Sequence, residues 1–357
     1  MSDIVVNLPG GPIRAIHRNS ITIARGVKYA TATRFQPPKP YRETWTDVVD
    51  YTQPATICPQ IPSRLDYLMG PTSLGRIHDE DCLHVSVFSP GKEGDLLPVM
   101  VFIHGGAYLS GGGDLDCYSG EALAGNGVVV VNITYRLGIF GYQGIEGVAR
   151  PNLGLMDQIA ALEWVQGNIG AFGGDKGRVC LFGESAGGDS IYCLLGARTE
   201  GLFNRVVLQS APFGMRSQEK GDMVKAMAEK AKSVEGLLEK TSEELLEVEM
   251  ELLGVAMGFV SSGMPYGPQM GYEPLPDVEE FERRVSERVQ GMGVMVGYTK
   301  DDGVPFAEIV PRELLDGMEA GQYATKKWFQ EGADEFVKRV KGNGGVVSTY
   351  RWDLGFG

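Results

Sequence analysis

The apolar run Val179-Cys180-Leu181-Phe182 passes without a spacer into Gly183-Glu184-Ser185-Ala186-Gly187, and no other junction in the chain constrains its fold as strongly. A short apolar run of this kind reads as a buried strand. G-x-S-x-G directly after a strand is a sharp strand-to-helix turn, with glycines where the crowded backbone leaves no room for a side chain. Such a turn requires a sheet whose strands feed helices. Further apolar, β-branched runs fit that sheet: Pro98–Ile103, Val128–Ile133, Val206–Leu208 and Val294–Gly297. Their near-continuous hydrophobicity, in place of alternation, marks strands covered on both faces. Leu155, Ile159, Leu162, Val165 and Ile169 recur at steps of three and four, which predicts a helix over 155–169 with one apolar stripe. Strands alternating with helices predict an α/β fold, a mostly parallel sheet with helices on both faces.

The stretch from Ser217 onward departs from this pattern. It is charged and Met-rich, with Met223, Met227, Ala231 and Val234 on one helical face. Thr241-Ser242-Glu243-Glu244 reads as a capping box that opens a second helix. Residues 217–292 are therefore expected to form a helical cap inserted into a single domain over 1–357.

The 357 residues carry a formal charge of −13, which disfavours nucleic acid as a partner. No apolar stretch reaches the length of a membrane span. The amino terminus lacks the basic and apolar regions of a secretory signal, so an intracellular location is expected. Cys117, Cys180 and Cys193 are expected to be small buried apolar residues. Four histidines and no zinc-type cysteine spacing argue against a metal, and no cofactor is expected.

Acyl transfer needs a nucleophile, a base, an orienting acid and donors for the developing oxyanion. Ser185 on its turn is the expected nucleophile. His104-Gly105-Gly106-Ala107 ends the strand from Pro98, as an HGG-type oxyanion loop does. Gly105 and Gly106, with the N–H of Ala186, are the expected donors, and His104 is expected to be structural. The acid should follow a late strand, and Lys300-Asp301-Asp302-Gly303 supplies two carboxylates there; the residues alone do not choose between them. His17, His78, His84 and His104 all precede Ser185, and no spacing argument brings one to it.

Around these motifs the chain resembles the type-B carboxylesterases, which have the α/β-hydrolase fold. The resemblance rests on Phe172-Gly173-Gly174-Asp175 ahead of the serine motif and on Glu80-Asp81-Cys82-Leu83 with Val85-Ser86-Val87-Phe88. It extends to Asn152-Leu153-Gly154-Leu155-Met156-Asp157-Gln158 and to Trp164-Val165-Gln166. His84 stands where an aromatic or Thr is usual. The resemblance implies that Asp302, matching the third residue of Lys-Asp-Glu-Gly, is the triad acid. It also implies a Cys58–Cys82 disulfide and ion pairs of Arg34 with Glu80 and Arg136 with Asp175. In such proteins the histidine follows a strand like Val346–Asp353, so its segment is expected beyond Gly357, and this chain by itself is expected to have little activity. The expected function is hydrolysis of small neutral esters through an acyl-serine; a non-catalytic, cholinesterase-like binding protein is the alternative.

Overall fold

A computed structural model describes residues 2–216, 219–259 and 264–353. Its centre is a twisted sheet of ten long strands: β1 (Ser2–Leu8), β2 (Gly11–Arg18), β3 (Ile21–Lys28), β4 (His84–Ser89), β5 (Leu97–Ile103), β6 (Val129–Ile133), β7 (Gly174–Glu184), β8 (Arg205–Gln209), β9 (Gly293–Thr299) and β10 (Val346–Trp352). They lie in the order β1-β2-β3-β4-β6-β5-β7-β8-β9-β10, with a two-residue strand at Val49–Asp50 beside β2. From β6 to β10 every pairing is parallel. From β1 to β6 the pairings are antiparallel.

The apolar runs fall where burial on both faces demands them. Every residue of β6 is buried, whereas β1 at one edge is exposed along most of its length. Reversal between β5, β6 and β7 places the ends of β5 and β7 side by side, with Ile103 opposite Gly183. One contiguous apolar core runs from Val6 to Val340.

Six longer helices flank the sheet: α1 (Leu153–Asn168), α2 (Ala186–Gly196), α3 (Glu219–Lys232), α4 (Ser242–Ala256), α5 (Val278–Arg288) and α6 (Glu331–Gly342). The helix expected at 155–169 is α1, but it has no single apolar stripe. Asp157 and Gln158 are buried with its leucines, because Arg136 and Ser190 supply their partners. All of α2 is buried. A Cβ on Gly196 would sit 2.1 Å from the Phe281 ring, so glycine lets α5 press directly onto α2.

Met223, Met227 and Ala231 are buried on α3, which packs against α4. Thr241 caps α4 in a reciprocal box with Glu244. Residues 217, 218 and 260–263 of the expected insertion lie outside the described residues. Cys193 is buried as expected, Cys180 is half-buried, and Cys117 is exposed on a short 3-10 turn, against expectation.

Cys58 and Cys82, the pair that the resemblance implies is bridged, lie buried side by side without a bond between them, and the Leu137 N–H donates to Cys58 Sγ at 3.3 Å. One expected ion pair is corrected. Arg136 pairs with Asp157, not Asp175, through Nε and Nη2 at 2.8 and 2.7 Å. Asp175 instead takes Arg178 three residues on, at the exposed start of β7. The buried guanidinium requires an equally buried partner, which Asp157 on α1 provides. The expected Arg34–Glu80 pair is present, and Arg34 also donates to the carbonyls of Leu238 and Lys240 ahead of α4.

Candidate functional site

Ser185 sits between the end of β7 and the start of α2 with φ 54° and ψ −122°, a left-handed backbone that costs an L-residue of order 1–3 kcal/mol. Its N–H donates to the Gln209 carbonyl at the end of β8. The flanking glycines are steric necessities. A Cβ on Gly187 would lie 2.0 Å from the Ile103 carbonyl oxygen, and one on Gly183 would lie 2.7 Å from the Gly187 carbonyl carbon. The turn is thus wedged against the end of β5, and its strain is held by packing.

That packing delivers the Gly105-Gly106 loop to Ser185. A Cβ on Gly105 would fall 3.2 Å from Ser185 Cβ, so loop and turn touch. Gly106, Ala107 and Tyr108 all have positive φ, and the loop closes through Leu109 and Ser110 N–H groups donating to the Gly106 carbonyl. No acceptor among the described residues takes the N–H groups of Gly105 and Gly106. Ala186 opens α2, where a helix leaves its first N–H groups free. The Gly105-Gly106 loop and the first residue of α2 thus meet at the Ser185 turn.

The loop is also anchored from behind. Tyr108 is buried and its hydroxyl donates to Asp189 Oδ2 at 2.6 Å. Asp189 lies one turn into α2 and takes a two-pronged bond from Arg216 at 2.6 and 2.7 Å. This buried Tyr108–Asp189–Arg216 cluster ties the loop to the helix that Ser185 begins. The elbow and the glycine loop are visible in the sequence; the cluster has no local signature there.

The two aspartates after β9 are distinguished by geometry. Asp301 is exposed. The Asp302 carboxylate turns inward and accepts from the Thr299 N–H at 2.9 Å and the Thr299 hydroxyl at 2.6 Å. It also faces Glu184, the residue before the serine, whose carboxyl is pushed up by crowding and secondarily by the Asp302 charge. Water reaches the Glu184 side chain and screens that effect. The sequence reading missed Glu184, although it is the variable residue of the serine motif.

The four histidines divide clearly. His17 is on β2 and His84 opens β4. His78 bridges to Ile57 in the N-terminal loop. His104 alone adjoins the site, directly before Gly105. It is fully buried, stacks on Tyr135 at 4.3 Å between ring centres, and its Nδ1 lies 2.8 Å from the Gly105 carbonyl. Burial pushes its pKa down to about 4, so the ring is neutral near pH 7. It shapes the loop, as expected from sequence. No group of three or more metal-ligating side chains occurs among the described residues.

A profile of the carboxylesterase family matches residues 2–343. The "Probable N-octanoylanthranilate hydrolase AqdA2" of Rhodococcus erythropolis is 38% identical over 84% of this chain and 67% of its own length. The para-nitrobenzyl esterase of Bacillus subtilis (strain 168) is 36% identical over 88% of this chain and 67% of its own. Among solved structures, a thermophilic para-nitrobenzyl esterase superposes with a TM-score of 0.83 at 30% identity, covering 99% of this chain and 80% of that one. These neighbours are α/β-hydrolases, and the central sheet and flanking helices described above are that fold.

Proposed function

The chain belongs to the carboxylesterase family, and from that premise we propose that it hydrolyses small neutral carboxylic esters through an acyl intermediate on Ser185. Gly105, Gly106 and Ala186 donate to the oxyanion, and Asp302 is the acid of the charge network. The α3–α4 pair within 217–292 acts as a cap. The observation that carries the proposal is the strained Ser185 turn in contact with a loop whose Gly105 and Gly106 N–H groups have no acceptor among the described residues. Neither serine nor oxyanion stabilisation alone supplies a proton acceptor, and the imidazole nearest the site, His104, is committed to the loop. The acceptor is therefore not among the described histidines.

The lack of a histidine acceptor for Ser185 among the described residues favours a second reading, a binding protein that keeps the fold without turnover. One experiment separates the two. A short-chain p-nitrophenyl ester is offered to the protein and to Ser185→Ala, and both are incubated with a fluorophosphonate probe followed by peptide mapping. Hydrolysis that disappears in Ser185→Ala, with probe on Ser185, supports the esterase. Hydrolysis that persists in Ser185→Ala overturns it, and an inert, unlabelled protein supports the binding reading.

A further inference from the structure

Away from Ser185, a cavity of about 1510 Å³ opens between α2, α3, α5 and α6. None of residues 104–107, 184–186 or 302 lines it. Its floor is aromatic: Tyr192 meets Phe213, Phe281 and Phe336 with ring centres 5.1–5.4 Å apart. Val224 of α3 and Met270 complete an apolar wall. The volume exceeds the roughly 300–1,000 Å³ common for small-molecule sites, so an elongated ligand fits.

The charges at the wall do not cancel. Lys327 is paired with Glu331, Arg339 with Glu282, and Arg150 with Glu273. At the rim, Lys225 and Glu335 are opposite in sign and both exposed. Arg216 is neutralised by Asp189, whose carboxylate is already filled by two guanidinium bonds and the Tyr108 hydroxyl. Cys193 beside them is a neutral thiol, pushed up to about 12 by burial. Lys220 remains. Its Nζ donates to the Tyr266 carbonyl at 3.2 Å and pairs with no carboxylate among the described residues. Burial pushes this amine down to about 8 against the smaller upward pull of the Asp189 carboxylate, which Arg216 already engages. Lys220 thus adds to the lining of the aromatic trough one positive charge beyond the one that Asp189 cancels on Arg216.

We propose that this cavity binds an amphiphilic monocarboxylate, its head on Lys220 Nζ and its hydrocarbon tail over the Tyr192, Phe213, Phe281 and Phe336 rings. A single excess cation is matched by a single anion, which selects a carboxylate over a phosphate dianion. The apolar floor selects a chain over a small polar acid. The site is independent of chemistry at Ser185.

Calorimetric titration of the Ser185→Ala protein with decanoate, decanol and decyltrimethylammonium, each below its aggregation threshold, tests this. Ester turnover plays no part, so failure here and failure of the esterase reading are separable. Decanoate binds one to one, decanol at least tenfold more weakly, and the cation not at all. Lys220→Met lowers decanoate affinity at least tenfold, to that of decanol, and leaves decanol unchanged. Val224→Trp, which fills the trough, abolishes both. Equal affinity for decanoate and decanol, an unchanged decanoate affinity in Lys220→Met, or no saturable binding overturns the proposal.

Discussion

Replacing Asp189 by asparagine tests how the oxyanion loop is held. Asp189 is completely buried. It accepts from Arg216 at 2.6 and 2.7 Å and from Tyr108 at 2.6 Å. Asparagine keeps the shape but removes the charge, leaving the Arg216 guanidinium buried without a counter-ion. Breaking a buried pair from one side costs about 3–5 kcal/mol. Tyr108→Phe removes one hydrogen bond to a charged group, worth about 1.5–3 kcal/mol. Removing both charges at once, in Asp189→Leu/Arg216→Met, leaves no orphaned guanidinium, so the double variant is more stable than Asp189→Asn. Urea unfolding followed by far-ultraviolet circular dichroism measures all three. Because Tyr108 carries the Gly105-Gly106 loop, Asp189→Asn also slows fluorophosphonate labelling of Ser185. A loss below about 1 kcal/mol for Asp189→Asn, or a double variant less stable than the single one, refutes this account of the cluster.

Three further outcomes follow from single contacts. Gly187→Ala puts a methyl 2.0 Å from the Ile103 carbonyl oxygen. It costs more than the usual 1–3 kcal/mol of overpacking, read as lost soluble yield or an early unfolding midpoint; a normal midpoint contradicts the close approach. Glu249 is buried on α4 and accepts from the Ile139 N–H at 2.6 Å, and burial pushes its carboxyl up to about 7. A raised carboxyl pKa means the folded state holds the proton longer than the unfolded one, so stability falls as pH rises from about 4.5 to 7 and stays lower above it. The loss is on the order of 3 kcal/mol. Glu249→Gln removes that slope in pH-dependent melting, and an unchanged slope assigns it elsewhere. Cys58 and Cys82 are fully buried thiols. Iodoacetamide therefore modifies neither in the native protein and both after denaturation without reductant, and a bridged peptide in non-reducing mass mapping contradicts the free pair.

The parallel half of the sheet was legible because burial on both faces writes itself as unbroken apolar runs, as in β6. The antiparallel half was far less visible. β1 is mostly exposed and β2 alternates, so neither stands out from loop composition. The apolar stripe predicted on α1 failed for a related reason. A helix buried over most of its surface can place Asp157 and Gln158 inside once Arg136 and Ser190 meet them. A periodicity of hydrophobic residues records burial only where buried positions are apolar.

The same distinction governs the site. Its chain-local parts could be read directly, because a strained turn and a loop of close approach both demand glycine at fixed offsets. Gly183, Gly187 and Gly105 each abut backbone within 2.8 Å of where a Cβ would stand. Pairings across the fold had no such mark. Arg136 had two aspartates available at plausible separations, and only the burial of Asp157 selects it over the exposed end of β7. Asp302 was separable from Asp301 by resemblance alone until Thr299 was seen to hold its carboxylate inward from two sides. Glu184 shows the limit most plainly. It occupies the one unconstrained position of the serine motif, yet it meets Asp302 at the shared carboxyl end of the parallel strands. Two carboxylates facing each other beside a serine repel when both are ionised, so a cation seated between them is stabilised by both.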